Sequence, residues 1–249
     1  MNIENFFKTY PEVAIAFSGG VDSAYLLCMA KRYGKRVKAY YVRSEFQPEF
    51  EYQDACKIAE QLEAEMKVIY LKGLEDHKVR ENPQNRCYFC KKNIFGNILE
   101  EAKNDGFQVI LDGTNASDDA GDRPGMKALE EMKVMSPLRL CGLTKEEIRK
   151  RSKKEGLFTW DKPAYACLAT RIPTGELITE EKLQAVERAE GYLFSLGFQD
   201  FRVRTREFHA ILQLPFSQWK LLVENREKIL QELKKDFRSV VLDLEVRDE

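Results

Sequence analysis

The six residues Ser18-Gly19-Gly20-Val21-Asp22-Ser23 have the types and order needed to cradle a phosphate. They follow a short apolar run, Val13 to Phe17, and open a helical pattern that reaches Tyr33. Glycines let the backbone approach an anion. The N–H groups of the first helical turn point at it, and the helix dipole favours its charge. Ser18 and Ser23 add hydroxyl donors. Asp22 would repel a bare phosphate, so it makes sense where Mg2+ rides on pyrophosphate. A glycine turn with an Asp/Ser cap is the rival account, but the full string in strand-loop-helix context is far more specific than two glycines. It is not a Walker loop, which needs a Lys before the last hydroxyl residue.

Thiols form the second constellation. Cys87 and Cys90 make a C-x2-C pair, and Cys167 lies in a proline-containing stretch. Three thiolates suit an iron–sulfur cluster with one open iron, or a zinc ion with one open position. A redox dithiol is the rival for the pair, and a structural role the third account. The other three of the six cysteines, Cys28, Cys56 and Cys141, read as packing residues. His77 and His209 are the two histidines and give no basis for a histidine-driven mechanism.

The elements that position these residues alternate. Strands are expected at Val13–Phe17, Arg36–Val42, Met66–Leu71 and Phe107–Leu111. Helices are expected after Ser23, over Glu49–Glu65, and over Lys91–Asn104. Alternation of this kind implies a doubly wound, mostly parallel sheet with right-handed crossovers. Ligands bind at the carboxyl ends of such strands, which puts Ser18–Ser23 and Asp112-Gly113-Thr114-Asn115 on one edge. Thr144 and Glu147 form a capping box for a helix that ends near Gly156. The stretch Phe158–Gly175 reads as an ordered functional loop. Beyond it, a helix over Thr179–Leu196, strands at Phe201–Arg204 and His209–Leu214, a helix over Phe216–Lys235 and a strand at Val240–Leu244 make a smaller α+β domain. The expected division is therefore 1–158, a nucleotide domain; 159–178, an active-site loop and junction; and 179–249, the α+β domain.

With 249 residues the chain can bury a core without disulfides. Hydrophobic residues make up 43%, an ordinary globular share. Lys and Arg number 40 against 41 Asp and Glu, a net charge of −1, which argues against a broad nucleic-acid footprint. The first residues lack the pattern of a signal peptide, and no run is long and apolar enough for a membrane span. A cytoplasmic setting, with reduced cysteines, is the expectation.

The loop at 18–23 looks like the PP-loop of N-type ATP pyrophosphatases, which cleave ATP between the α and β phosphates. Together with NRCYFCKK at 85–92, DGTNASDD at 112–119, DRPGMKALEE at 122–131, SPL at 136–138 and DKPAYACLATRIPTGE at 161–176, it resembles the LarE family. These are ATP-dependent sulfur transferases of nickel-pincer nucleotide assembly. The resemblance covers Phe17 to about Arg204. It implies an adenine nucleotide alpha hydrolase-like fold, with ATP and Mg2+ at Ser18, Gly19, Gly20, Val21, Asp22, Ser23, Gly113, Thr114 and Asn115. It implies as substrate a pyridinium mononucleotide with two carboxylates. One is adenylated, pyrophosphate leaves, and sulfur displaces AMP to give a thiocarboxylate.

Two sulfur sources occur in the family. Some members give up the sulfur of one cysteine, here matched by Cys167. Others hold a [4Fe-4S] cluster on three cysteines, here Cys87, Cys90 and Cys167, and the presence of all three favours that type. By matched position Lys91 would neutralise phosphate or the adenylate, and Asp118 or Asp119 would face the nucleotide. Arg171 would clamp a phosphate or carboxylate, with Arg202 and Arg204 on the substrate phosphate. Glu190 reads as a solvated helix residue. The segment Thr205–Leu214 departs from the family: Ile211 and Gln213 stand where a charged pair is typical, which puts an acidic metal site there in doubt. The family also implies a homo-oligomer, a sulfur donor protein and partners from the cofactor pathway. The rivals are a PP-loop tRNA thiolase, an amidotransferase-like ligase and a zinc-stabilised nucleotide-binding module.

Overall fold

In the computed structural model, residues 1–118 and 124–245 are described. The chain runs α1 (Ile3–Thr9), β1 (Glu12–Ala16), α2 (Val21–Tyr33), β2 (Arg36–Arg43), α3 (Glu49–Gln61), β3 (Met66–Tyr70), α4 (His77–Arg80), α5 (Arg86–Asn104) and β4 (Ile110–Leu111). It continues α6 (Pro124–Glu131), α7 (Pro137–Leu140), α8 (Lys145–Lys154), α9 (Glu180–Ser195), β5 (Arg202–Arg206), β6 (His209–Gln213), α10 (Trp219–Glu224), α11 (Arg226–Leu233) and β7 (Ser239–Leu242). It folds into two units: residues 1–73 with 85–162, and residues 74–84 with 163–249.

The first unit is the expected doubly wound sheet. Its order is β3-β2-β1-β4, and all three pairings are parallel. Side chains of β1 and β2 alternate between two apolar layers, as the two-residue period of a strand requires. Val13, Ile15, Ala39 and Tyr41 pack with Phe6, Phe7, Leu26, Ile58, Leu138 and Ile148 on one face. Ala14, Tyr40 and Val42 pack with Ile98, Ala102 and Phe107 on the other. The chain winds outward from β1 through β2 to β3, then returns by α5 to place β4 on the opposite side of β1. The β1–β4 junction is therefore the topological switch point, where ligands of such sheets bind.

Several expected boundaries shift. The helix read from Lys91 begins at Arg86, so Cys87 and Cys90 belong to its first turns. Asn85 occupies the cap position without a capping side-chain bond, which is why no start signal was visible there. The fourth strand shrinks to Ile110–Leu111. The helix at 49–65 stops at Gln61, and Glu63 turns the chain with φ 48°. The capping box at Thr144 and Glu147 is present.

In the second unit a three-stranded sheet has the order β5-β6-β7, with β5–β6 antiparallel and β6–β7 parallel. Glu207 and Phe208 form the hairpin turn, both with positive φ (47° and 65°). The helix expected over Phe216–Lys235 is broken at Asn225, whose side chain donates to the Leu221 carbonyl. The stretch at 158–175 holds two single 3-10 turns, Phe158–Asp161 and Leu168–Arg171. The sequence reading placed the junction at 159–178; the chain leaves the first unit after Lys162, and the excursion at 74–84 carried no sequence signal. Asn82 anchors that excursion by donating to the carbonyls of Ile172 (3.2 Å) and Pro173 (2.8 Å). No helix among the described residues is long and apolar enough to cross a membrane.

Candidate nucleotide and thiol sites

The PP-loop links β1 to α2 at the switch point. Gly19 has φ 74°, and a Cβ placed on it would sit 2.9 Å from the Ala55 Cβ of α3. Only glycine fits that turn. Gly20 is the N-cap of α2, and no side chain caps the helix, so its first N–H groups face the loop. Ser23 Oγ donates to the Gly20 carbonyl (3.1 Å), accepts from the Ser18 amide (3.3 Å) and lies 3.1 Å from Ser18 Oγ. The two hydroxyls thus close the loop on itself. Gly113, after β4, packs so closely that a Cβ would lie 3.0 Å from the Ser23 amide nitrogen. The two loops expected on one edge are brought together.

Asp22 is the charged centre of this loop. One oxygen, Oδ2, pairs with Lys145 Nζ at 2.5 Å. The other, Oδ1, is buried with no hydrogen-bond partner. Burial pushes the carboxyl above its usual range, against the pull of Lys145, and Asp118 adds to the rise. An orphaned carboxylate oxygen beside a phosphate cradle fits a hard divalent cation. Lys145 was missed by sequence reading. It is the first residue of α8, and only the tertiary fold carries it to Asp22.

The loop after β4 is held by its own polar groups. Asp112 accepts from Ser136 Oγ (2.6 Å) and from the Thr114 hydroxyl. Asn115 Oδ1 accepts from the Ser117 amide, and Asp118 Oδ2 from the Asn115 amide. Asp119 lies outside the described residues, as do Asp122 and Arg123 of the 122–131 motif. Lys91 stands on α5 with its stem against Gly125 at the start of α6, where a Cβ would come within 2.8 Å of Lys91 Cδ.

Cys87 and Cys90, three residues apart, share one face of α5. Cys87 is exposed, and its sulfur accepts from Arg86 Nη2 at 3.6 Å. All six cysteines are thiols. Cys28 is buried, and Cys56 and Cys141 are half-buried. Burial raises the thiol pKa of Cys28 and of Cys141. His77 lies beside Arg80 and His209 beside Ser239. Within either unit, no three described His, Cys, Asp or Glu side chains are gathered as a metal-binding group.

Cys167 lies in the second unit, in a loop whose carbonyls are gripped by arginines. Arg202 donates to Ala164 O (2.6 Å), Arg171 to Ala166 O (3.0 Å) and Cys167 O (3.5 Å), and Arg204 to Thr170 O (2.9 Å). Thr170 Oγ1 adds a bond to Cys167 O. Arg171 is 2% exposed and is held by Glu190, with Nε–Oε1 at 2.8 Å and Nη2–Oε2 at 3.1 Å. Glu190 also accepts from the Tyr165 hydroxyl and the Val203 amide. The reading of Glu190 as a solvated helix residue is corrected: it is 1% exposed and fully bonded, because α9 turns this face toward β5. Arg204 is exposed and also donates to Gln213, which in turn donates to Asp243 (2.7 Å).

Comparison with known proteins decides the family. A model described as asparagine synthase matches residues 7–118. The pyridinium-3,5-bisthiocarboxylic acid mononucleotide synthase of Lactiplantibacillus plantarum is 32% identical across 95% of this chain and 87% of its own length. The chain belongs to the LarE family. It is an ATP-dependent sulfur transferase. The uncharacterized protein slr1717 of Synechocystis sp. is 36% identical over 98% of this LarE chain and 92% of its own. The tRNA-specific 2-thiouridylase MnmA of Thermotoga petrophila is 25% identical over 74% and 63%. The asparagine synthase match spans the PP-loop and all four strands of the parallel sheet.

Proposed function

We propose that this LarE protein uses ATP to adenylate a carboxylate of a pyridinium dicarboxylate mononucleotide and exchanges the AMP for sulfur, in assembly of a nickel-pincer nucleotide. The observation that carries this reading is the PP-loop at the switch point with the orphaned buried oxygen of Asp22. The name of the Lactiplantibacillus relative supports the substrate. The carboxylate oxygen bonds to the α-phosphorus as the bond to the bridging oxygen breaks, and pyrophosphate leaves. Ser18, Ser23 and the amides opening α2 receive the pyrophosphate, Asp22 holds Mg2+, and Lys145 balances the charge. Gly113, Thr114 and Asn115 line the nucleotide side, and Lys91 is assigned to the adenylate. A sulfur nucleophile then bonds to the acyl carbon, AMP departs, and a thiocarboxylate remains.

Cys87, Cys90 and Cys167 would hold a [4Fe-4S] cluster. The donor set fits: three reduced thiols, two on one helix turn, and an N–H···S bond already made to Cys87. When bound, the cluster supplies an open iron from which sulfide is delivered. Without it, Cys167 itself is the sulfur source. The carbonyl grips on residues 164–170 fix the backbone that carries this thiol. Arg171 and Arg202 hold the loop, and Arg204, exposed on β5, contacts the substrate phosphate.

The first experiment is iron and acid-labile sulfide per chain after anaerobic purification, with Cys90→Ala beside it. About four of each, lost in the variant, establishes the cluster. No iron, with loss of one sulfur's mass at Cys167 after turnover, assigns the sacrificial route. Pyrophosphate release that depends on the dicarboxylate tests the substrate. Release driven instead by bulk tRNA would move the protein to the thiolase reading.

A further inference from the structure

One face of α8 carries a row of cations at Lys145, Arg149 and Lys153, spaced one turn apart. Each has a distinct target. Lys145 pairs with Asp22 of the PP-loop. Arg149 donates Nη1 to the Trp160 carbonyl and Nη2 to the Lys162 carbonyl, both at 2.7 Å. Lys153 Nζ lies 4.0 Å from the centre of the Trp160 ring. The same short segment is held by a second helix flanking the PP-loop. Lys162 Nζ pairs with Asp54 of α3 at 2.8 Å, one residue before the Ala55 that seats Gly19. Residues 160–162 are the last of the first unit, and the chain continues from them to Cys167. The N-terminus of α8 is itself tied to the loop after β4, since the Lys145 amide donates to Ser117 Oγ (3.0 Å) and Leu143 O accepts from the Ala116 amide.

We propose that Arg149 is a positioning residue that ties occupancy of the PP-loop to the conformation of the segment leading to Cys167. Magnesium pyrophosphate at Asp22 competes for the oxygen that Lys145 holds. A change at Lys145 acts on Arg149 through one turn of a short rigid helix, and Arg149 is bonded to two carbonyls of the exit segment. A guanidinium suits this task because its planar fork reaches two acceptors at once, which an ammonium does not do in a fixed geometry. The proposal rests on the sulfur-transfer reading only for its consequence, not for its physical content.

The test is hydrogen exchange of the amides in Phe158–Cys167, with and without Mg2+ and α,β-methylene-ATP, in the wild type, Arg149→Met and Arg149→Lys. The analogue is expected to slow exchange there by about 10-fold in the wild type and by less than about 2-fold in both variants. The Lys variant keeps the charge and the helix, and so guards against simple misfolding. In parallel, pyrophosphate release should stay within about 3-fold of wild type, and thiocarboxylate formed per pyrophosphate should fall about 10-fold. No nucleotide response in the wild type, or an equal response in the variants, overturns the proposal. Absence of dicarboxylate-dependent pyrophosphate release in the wild type overturns the functional reading instead, and the exchange data still decide the coupling.

Discussion

Asp22 offers one oxygen to Lys145 and keeps the other buried without a partner, an arrangement that costs stability in the empty protein. Such a cost is expected where a cation completes the coordination. The carboxyl's raised pKa follows from burial first, with Lys145 opposing it. Binding of Mg2+ needs the carboxylate, so pyrophosphate release should fall as pH drops through this raised value. Replacing Lys145 with Met removes the group that lowers the pKa. The acid limb of the pH–rate profile should then move to higher pH, and the rate at neutral pH should fall by about 10²-fold. A profile unmoved by Lys145→Met would detach Lys145 from Asp22. The sequence made Asp22 legible, because its chemistry lies in six contiguous residues. Lys145 was not legible, because its partner is more than a hundred residues away.

Elements set two further constraints. The PP-loop can form only because α3 presents Ala55 to Gly19 at the distance of a bare Cα. Gly19→Ala adds a methyl group into that contact and forces φ 74° on an L-residue, so a loss of about 2 kcal/mol is expected by urea unfolding. ATP affinity should fall with it; a variant with wild-type stability and affinity would contradict the close approach. On α9, Glu190 joins the helix to the thiol loop and to β5 by accepting four hydrogen bonds in a dry setting. Glu190→Gln leaves the Arg171 charge buried without its counter-ion, and about 3–5 kcal/mol should be lost. The Cys167 loop should loosen in the same variant, seen as faster amide exchange over residues 164–170. Faster exchange spread evenly over the chain would instead mark a general loss of stability. Helical periodicity placed α9 well, but it put Glu190 among solvated residues, because a carboxylate's partner cannot be read from spacing on its own helix.

At the scale of the whole chain, the parallel sheet was readable because its strands are short apolar runs separated by helical patterns. The order β3-β2-β1-β4 followed from right-handed crossovers and the reversal after β3. The excursion of 74–84 into the second unit was not readable, since its anchors are backbone carbonyls gripped by Asn82. Nor was the polar staple at the end of α5. Asp105 accepts from Tyr40 Oη (2.8 Å), Lys38 Nζ (3.0 Å) and Lys67 Nζ (3.2 Å), which joins two strands to the turn before β4. These donors, the Tyr40 hydroxyl foremost, lower its pKa from 3.8 to about 2. A depressed carboxyl pKa stabilises the fold above the unfolded value and loses that contribution as pH falls toward the folded one. Asp105→Asn should therefore cost about 1–2 kcal/mol at pH 7, after a discount for a side chain that is 23% exposed. The gap between variant and wild type should narrow as pH falls from about 4 to about 2. Urea midpoints at pH 7 and pH 3 check this. A gap of the same size at both would mean that Asp105 acts through packing and neutral hydrogen bonds, and that its charge does not hold the two strands to the turn.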